Sequence, residues 1–111
     1  MKQKRYLVYS ISETFITDKG YEICLCMKLW QYIDKVWPEF PEGYKMEWIA
    51  FNLTEPNKEF VLLDNHPGKS PHYHIDDKKK QKFFAWISCP ETEKMFLTLV
   101  RQHFGDFDFE L

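Results

Sequence analysis

The sequence has no apolar run approaching the ~20 residues that a membrane-spanning helix needs. It shows no secretory leader, and its three cysteines cannot all pair: Cys24 and Cys26 stand two apart, and Cys89 lies far downstream. Adjacent i, i+2 positions rarely form a disulfide, and a zinc finger needs more ligands at finger-like spacing. These absences predict a cytoplasmic protein with reduced, buried structural thiols. There is no internal repeat, no low-complexity segment and no Gly-rich phosphate loop. A formal net charge of −2 and a pI near 6.1 give no argument for a protein that coats nucleic acid by bulk charge.

What is present is the composition of one folded domain. Of 111 residues, 18% are aromatic, 44% hydrophobic and 29% charged, which predicts a single aromatic-rich core and no second domain. The pattern predicts strands at Arg5 to Phe15, Tyr21 to Tyr32, Tyr44 to Leu53, Glu59 to Leu63 and Phe83 to Ile87. In the second, Tyr21, Ile23, Leu25, Met27 and Leu29 alternate with Glu22, Cys24, Cys26, Lys28 and Trp30 and form its core face. Two prolines and a glycine make Asp34 to Gly43 a surface connection, whose Trp37 and Phe40 fold back as a lid on a sheet edge or stand out as a partner-binding knob.

Ser88-Cys89-Pro90-Glu91 reads as a capping box with proline in the first turn. It opens a helix over about 89–104 whose Met95, Phe96, Leu99, Val100, His103 and Phe104 form one stripe, stopped by Gly105. The tail, with Phe107 and Phe109, adds an edge strand or docks a partner. The expected fold is α+β: a curved antiparallel sheet of about five strands with one C-terminal helix packed on one face.

Chemistry concentrates in a histidine loop over 64–77, which holds three of the four histidines with Lys69 and three acids. No structural need explains that set, and loops mounted on rigid strands commonly carry function. In extended chain, His72 and His74 project to the same side with Cα atoms roughly 6 to 7 Å apart. Two imidazoles so placed suit acid–base work on a phosphodiester without a metal, one taking a proton from a 2′-hydroxyl and the other giving one to the departing oxygen. Lys69 would stabilise the developing charge, Asp64 would orient a histidine, and Asn65, His66, Tyr73 and the Lys78-Lys79-Lys80 ridge would bind substrate. The same histidines, with Asp64 or Asp76, alternatively make a divalent metal site. His103, near a helix C-terminus, is expected to interact with the helix dipole.

The run Asp64-Asn65-His66-Pro67-Gly68-Lys69-Ser70-Pro71-His72-Tyr73-His74 resembles the signature of the TumE-type toxin family of bacterial and archaeal toxin–antitoxin modules, with one extra proline before the first histidine. The order of parts is similar too, over Tyr21 to Phe104. The resemblance implies an RNA-cleaving toxin held inactive by a cognate helix-turn-helix antitoxin, and it leaves a homodimer open. Two other readings of the chain are a non-enzymatic adaptor or inhibitor that uses Trp37, Phe40 and the Phe107/Phe109 tail, and a metal-dependent nuclease that uses the same histidines.

Overall fold

A computed structural model describes residues 4–34 and 37–111. Six strands, β1 (Arg5–Ile16), β2 (Glu22–Tyr32), β3 (Tyr44–Asn52), β4 (Phe60–His66), β5 (Lys69–Ile75) and β6 (Lys82–Phe83), form one open antiparallel sheet in sequential order. One helix, α1 (Cys89–Phe104), follows them. The fold is α+β as expected. No helix among the described residues is long and apolar enough to cross a membrane.

The sequence pattern falls one strand short. The stretch expected as a loop over 64–77 is a β-hairpin, because Pro67-Gly68 makes a tight turn that lets β4 continue directly into β5. Proline fixes φ at the first turn position and Gly68 takes φ +88° at the second, a division of labour that type II turns demand. Of the expected strand at Phe83 to Ile87 only Phe83 pairs, in the two-residue β6 with Lys82, and the chain beyond runs irregularly into the helix.

Helix α1 begins and ends where the sequence marks it. Ser88 accepts a hydrogen bond from the Glu91 amide at 3.2 Å, Pro90 occupies the first turn, and Gly105 caps the C-terminus at φ +101°. Its apolar stripe packs on one face of the sheet, where Phe96 and Val100 meet Ile23, Leu25, Met27, Leu29, Met46, Trp48, Ala50 and Leu63 in a single core. Trp48 and Phe96 lie centroid to centroid at 5.6 Å.

Of the two roles expected for Trp37 and Phe40, the structure shows the lid folded back on a sheet edge, and the aromatic tail packs on the domain as well. Phe40 is buried and packs with Trp37 against Tyr32, all three ring pairs lying 5.2 to 5.3 Å apart; positions 35–36 of this connection lie outside the described residues. Phe107 and Phe109 both pack on Phe15, and Arg101 donates to the carbonyl of Phe109 at 2.6 Å. The tail adds no strand.

With the helix on one face, the other face of the sheet has no second layer among the described residues except the segment 76–83, which folds over His72 and His74. Cross-strand pairing lays a straight row across all six strands of this open face: Ser10, Lys28, Glu47, Asp64, His72 and Phe83. A parallel row carries Ser12, Cys26, Ile49, Leu62 and His74.

Candidate metal centre

Asp64 on β4 and His72 on β5 are direct cross-strand partners, and His74 follows two residues along the same face. Period-two alternation therefore brings the three side chains together. One ligand atom from each lies within 4.8 Å of the others. Both imidazoles are buried, at 2% and 6% exposure, whereas the Asp64 side chain keeps 28% of its surface. Phe83 closes over His72, with ring centroids 5.3 Å apart, and the two imidazoles stand edge to face at 4.9 Å.

Backbone carbonyls set the histidine tautomers. His72 Nδ1 lies 2.8 Å from the Ser70 carbonyl and His74 Nδ1 lies 3.0 Å from the Lys80 carbonyl. A carbonyl oxygen only accepts, so each Nδ1 is the N–H donor and a neutral ring keeps its lone pair on Nε2. His72 Nε2 then faces Asp64 Oδ1 at 3.1 Å, and that oxygen is buried without a hydrogen bond. Two lone-pair atoms this close, out of water, call for a cation between them, either a proton that makes His72 an imidazolium or a metal ion. A carbonyl-anchored Nδ1–H with Nε2 turned to a shared centre is the arrangement that metal-bound histidines show. Atoms bound to one ion about 2.0–2.2 Å away sit roughly 2.8 to 3.6 Å apart, so the Asp64–His72 pair at 3.1 Å is already in range, while the trio as a whole lies within 4.8 Å.

The other residues expected at the site divide. His66 is exposed at the hairpin tip with its ring 6.2 Å from that of His72. Lys69 is exposed and donates to Gln81 Oε1 at 3.2 Å, across the segment that covers His74. Lys78, Lys79 and Lys80 are exposed in a turn held by the Lys79 amide donating to Asp77 Oδ1; the Lys80 carbonyl, not its ammonium, is what touches the site.

Two expected ligand-binding groups are corrected. Asn65 is fully buried with its amide spent on backbone: Oδ1 accepts from the Met46 amide at 2.8 Å, and Nδ2 donates to the Glu39 and Tyr44 carbonyls, each at 3.0 Å. It staples the connection before β3 to the hairpin. Tyr73 alternates to the helix side, opposite Leu63 and beside Phe84, so its hydroxyl lies on the face away from the imidazoles.

Asp76, the alternative oxygen ligand, is committed elsewhere. At φ +61° it accepts from the Phe60 amide at 2.9 Å and from His103 Nε2 at 2.8 Å, tying the helix end to the hairpin. Asp64 is the carboxylate left to the histidines.

Three neighbours escape the sequence reading. Glu47 pairs with Asp64 across the strands and is exposed on the same face. Lys45 is half-buried beside them, and burial holds its ammonium below the usual lysine range, partly offset by the carboxylates of Glu47 and Asp64. A groove of about 390 Å³, lined by Ser12, Cys26, Lys28, Glu47, Ile49 and Leu62 among others, ends at Asp64. No short motif encodes these contacts; they follow from strand register.

Comparison of the chain with protein-family models, with curated proteins and with solved structures returns no match.

Proposed function

We propose that this protein is a divalent-metal-dependent phosphodiesterase acting on RNA, with Asp64, His72 and His74 as the metal ligands. The observation that carries the reading is the facing of His72 Nε2 and Asp64 Oδ1 at 3.1 Å, with both histidine Nδ1 atoms tied to carbonyls. Three protein ligands leave positions for water and a phosphate oxygen, and a metal there would polarise the phosphate and lower the pKa of its water. A phosphate substrate fits the lysines gathered around the hairpin, Lys69, Lys78, Lys79, Lys80 and Lys82, and Lys45 beside Asp64. Of the two chemistries open to the histidines, the geometry favours the metal. Rings only 4.9 Å apart, both buried and anchored on one side, are poorly disposed to flank a phosphodiester from opposite sides.

The Asp64–His72 contact also suits the metal-independent reading, in which Asp64 steadies an imidazolium that works with His74. Chelation separates the two. RNA cleavage by purified protein should vanish with EDTA and return with Mn²⁺ or Zn²⁺, and His72→Ala or His74→Ala should abolish both cleavage and metal uptake. Full cleavage in EDTA, lost in the histidine variants, would favour the acid–base pair instead.

The biological setting rests on the hairpin's resemblance alone: a cytoplasmic toxin held inactive by a cognate helix-turn-helix antitoxin. Growth arrest on expression, relieved by co-expressing the neighbouring helix-turn-helix gene, is the outcome that supports it. Arrest that persists with His72→Ala would rule out these histidines as its cause.

A further inference from the structure

We infer that the open face of the sheet binds single-stranded nucleic acid, with one base stacked on Phe83 and the next base seated in the groove that ends at Asp64. The inference rests on the metal-dependent reading for the position of the scissile phosphate and adds the substrate's form. Phe83 is 55% exposed, the most exposed aromatic ring beside the histidines, and its ring lies 5.3 Å from that of His72. On the far side of Asp64 the groove of about 390 Å³ has Ile49 and Leu62 as an apolar floor and Lys28, Glu47 and Ser12 as polar walls. A flat heterocycle with hydrogen-bonding edges has that character.

The two subsites lie in line. The row Phe83, His72, Asp64, Glu47, Lys28 runs perpendicular to the strands with one residue from each, so the candidate metal ligands fall between the exposed ring and the groove. Neighbouring strands are about 4.8 Å apart, which spaces the ends of this row by about 19 Å. A backbone crossing the row would bring one phosphate to the ligands while its flanking bases turn to the two sides. Charge agrees with that path at its far end, where Lys28 lines the groove. Bases stacked and paired within a duplex cannot splay apart in this way, whereas unpaired bases stack on protein rings at little cost.

The test measures binding and leaves catalysis aside. A fluorescein-labelled 2′-O-methyl oligonucleotide, checked by gel to be intact after each titration, is titrated with Mn²⁺-loaded protein, single-stranded or folded as a hairpin duplex of the same composition. We expect the single strand to bind at least about tenfold tighter. Phe83→Ala should weaken it about tenfold, Phe83→Trp should restore it, and Ser12→Trp, which fills the groove from β1, should weaken it independently. Equal affinity for the two forms, or no effect of Phe83→Ala, overturns the inference. Hydrolysis of bis(4-nitrophenyl) phosphate by the wild-type protein reports the metal reading separately, because that substrate has no base to stack: hydrolysis without strand preference sinks this inference alone, and strand preference without hydrolysis sinks the metal reading alone.

Discussion

Asp64 and His72 face each other across the β4–β5 ladder with Oδ1 and Nε2 3.1 Å apart, and the ring's other nitrogen is spent on the Ser70 carbonyl. In the neutral state the two facing atoms both carry lone pairs, so the apo protein holds a local repulsion that a cation removes. Asp64→Asn replaces an acceptor with an amide that can donate to Nε2. The expected result is an apo protein more stable by about 1 kcal/mol that no longer gains stability from Mn²⁺. Thermal unfolding in EDTA and in excess metal reads both effects. Destabilisation of the apo form would mean that His72 is held as an imidazolium.

Asn65 stands next to Asp64 in sequence and does a different job. Its amide makes three hydrogen bonds to backbone from a fully buried position. Asn65→Ala strands those partners and should cost about 3 kcal/mol in urea unfolding. Metal affinity of the folded fraction, measured by calorimetry, should stay within a factor of two or so of wild type; a large loss would give Asn65 a place in the site.

Helix and core were legible because their signals are local. The Ser88 cap, the stripe through Phe96 and Val100, Gly105, and the alternation of Ile23 to Leu29 are each written within a few residues. Asp64, His72 and His74 were legible as chemistry for the same reason. Their partnership was legible as an option, but the choice of Asp64 over Asp76 was not, because it depends on register, and the register that sets Asp64 opposite His72 comes from the Pro67-Gly68 turn together with a one-residue shift between Asp64 and His66. Glu47, Lys45 and Phe83 lie 17, 19 and 19 residues from Asp64 in sequence, beyond the reach of any motif. The mistaken loop also explains the misassigned Tyr73: in a loop its hydroxyl is free to turn, whereas in a strand alternation sends it to the opposite face from His72.

Gly43 closes the connection before β3 at φ +83°, and a Cβ there would run into the Tyr32 carbonyl. Gly43→Ala combines a backbone conformation that alanine resists with a steric clash against backbone that cannot easily move. It should destabilise by at least about 2 kcal/mol. Gly68→Ala, at φ +88° with open space around it, should cost less, since only the conformational strain remains. Equal losses in chemical denaturation would contradict the role given to the Tyr32 contact.

Buried Cys89 at the helix start and half-buried Tyr9 of β1, which reaches the helix at Glu93, give the fold an alkaline limit. Burial, with help from Glu93 and Glu42, pushes the Cys89 thiol up to about 12 from the ordinary 9.0. Burial also raises the Tyr9 hydroxyl above its ordinary 10.0, assisted by the hydrogen bond it donates to Glu93 at 2.7 Å. Both groups hold their protons in the folded state after the unfolded chain has released them, so the unfolded state binds fewer protons and stability falls as pH rises. The contribution is complete below about pH 9, declines first through Cys89 and then, above pH 10, through Tyr9 as well. Urea midpoints measured between pH 8 and 11 should drop along this course, and Cys89→Ala should flatten the part that begins near pH 9 while Tyr9→Phe flattens the part above 10. If the Cys89→Ala curve keeps the wild-type slope, the thiol's proton is not linked to folding.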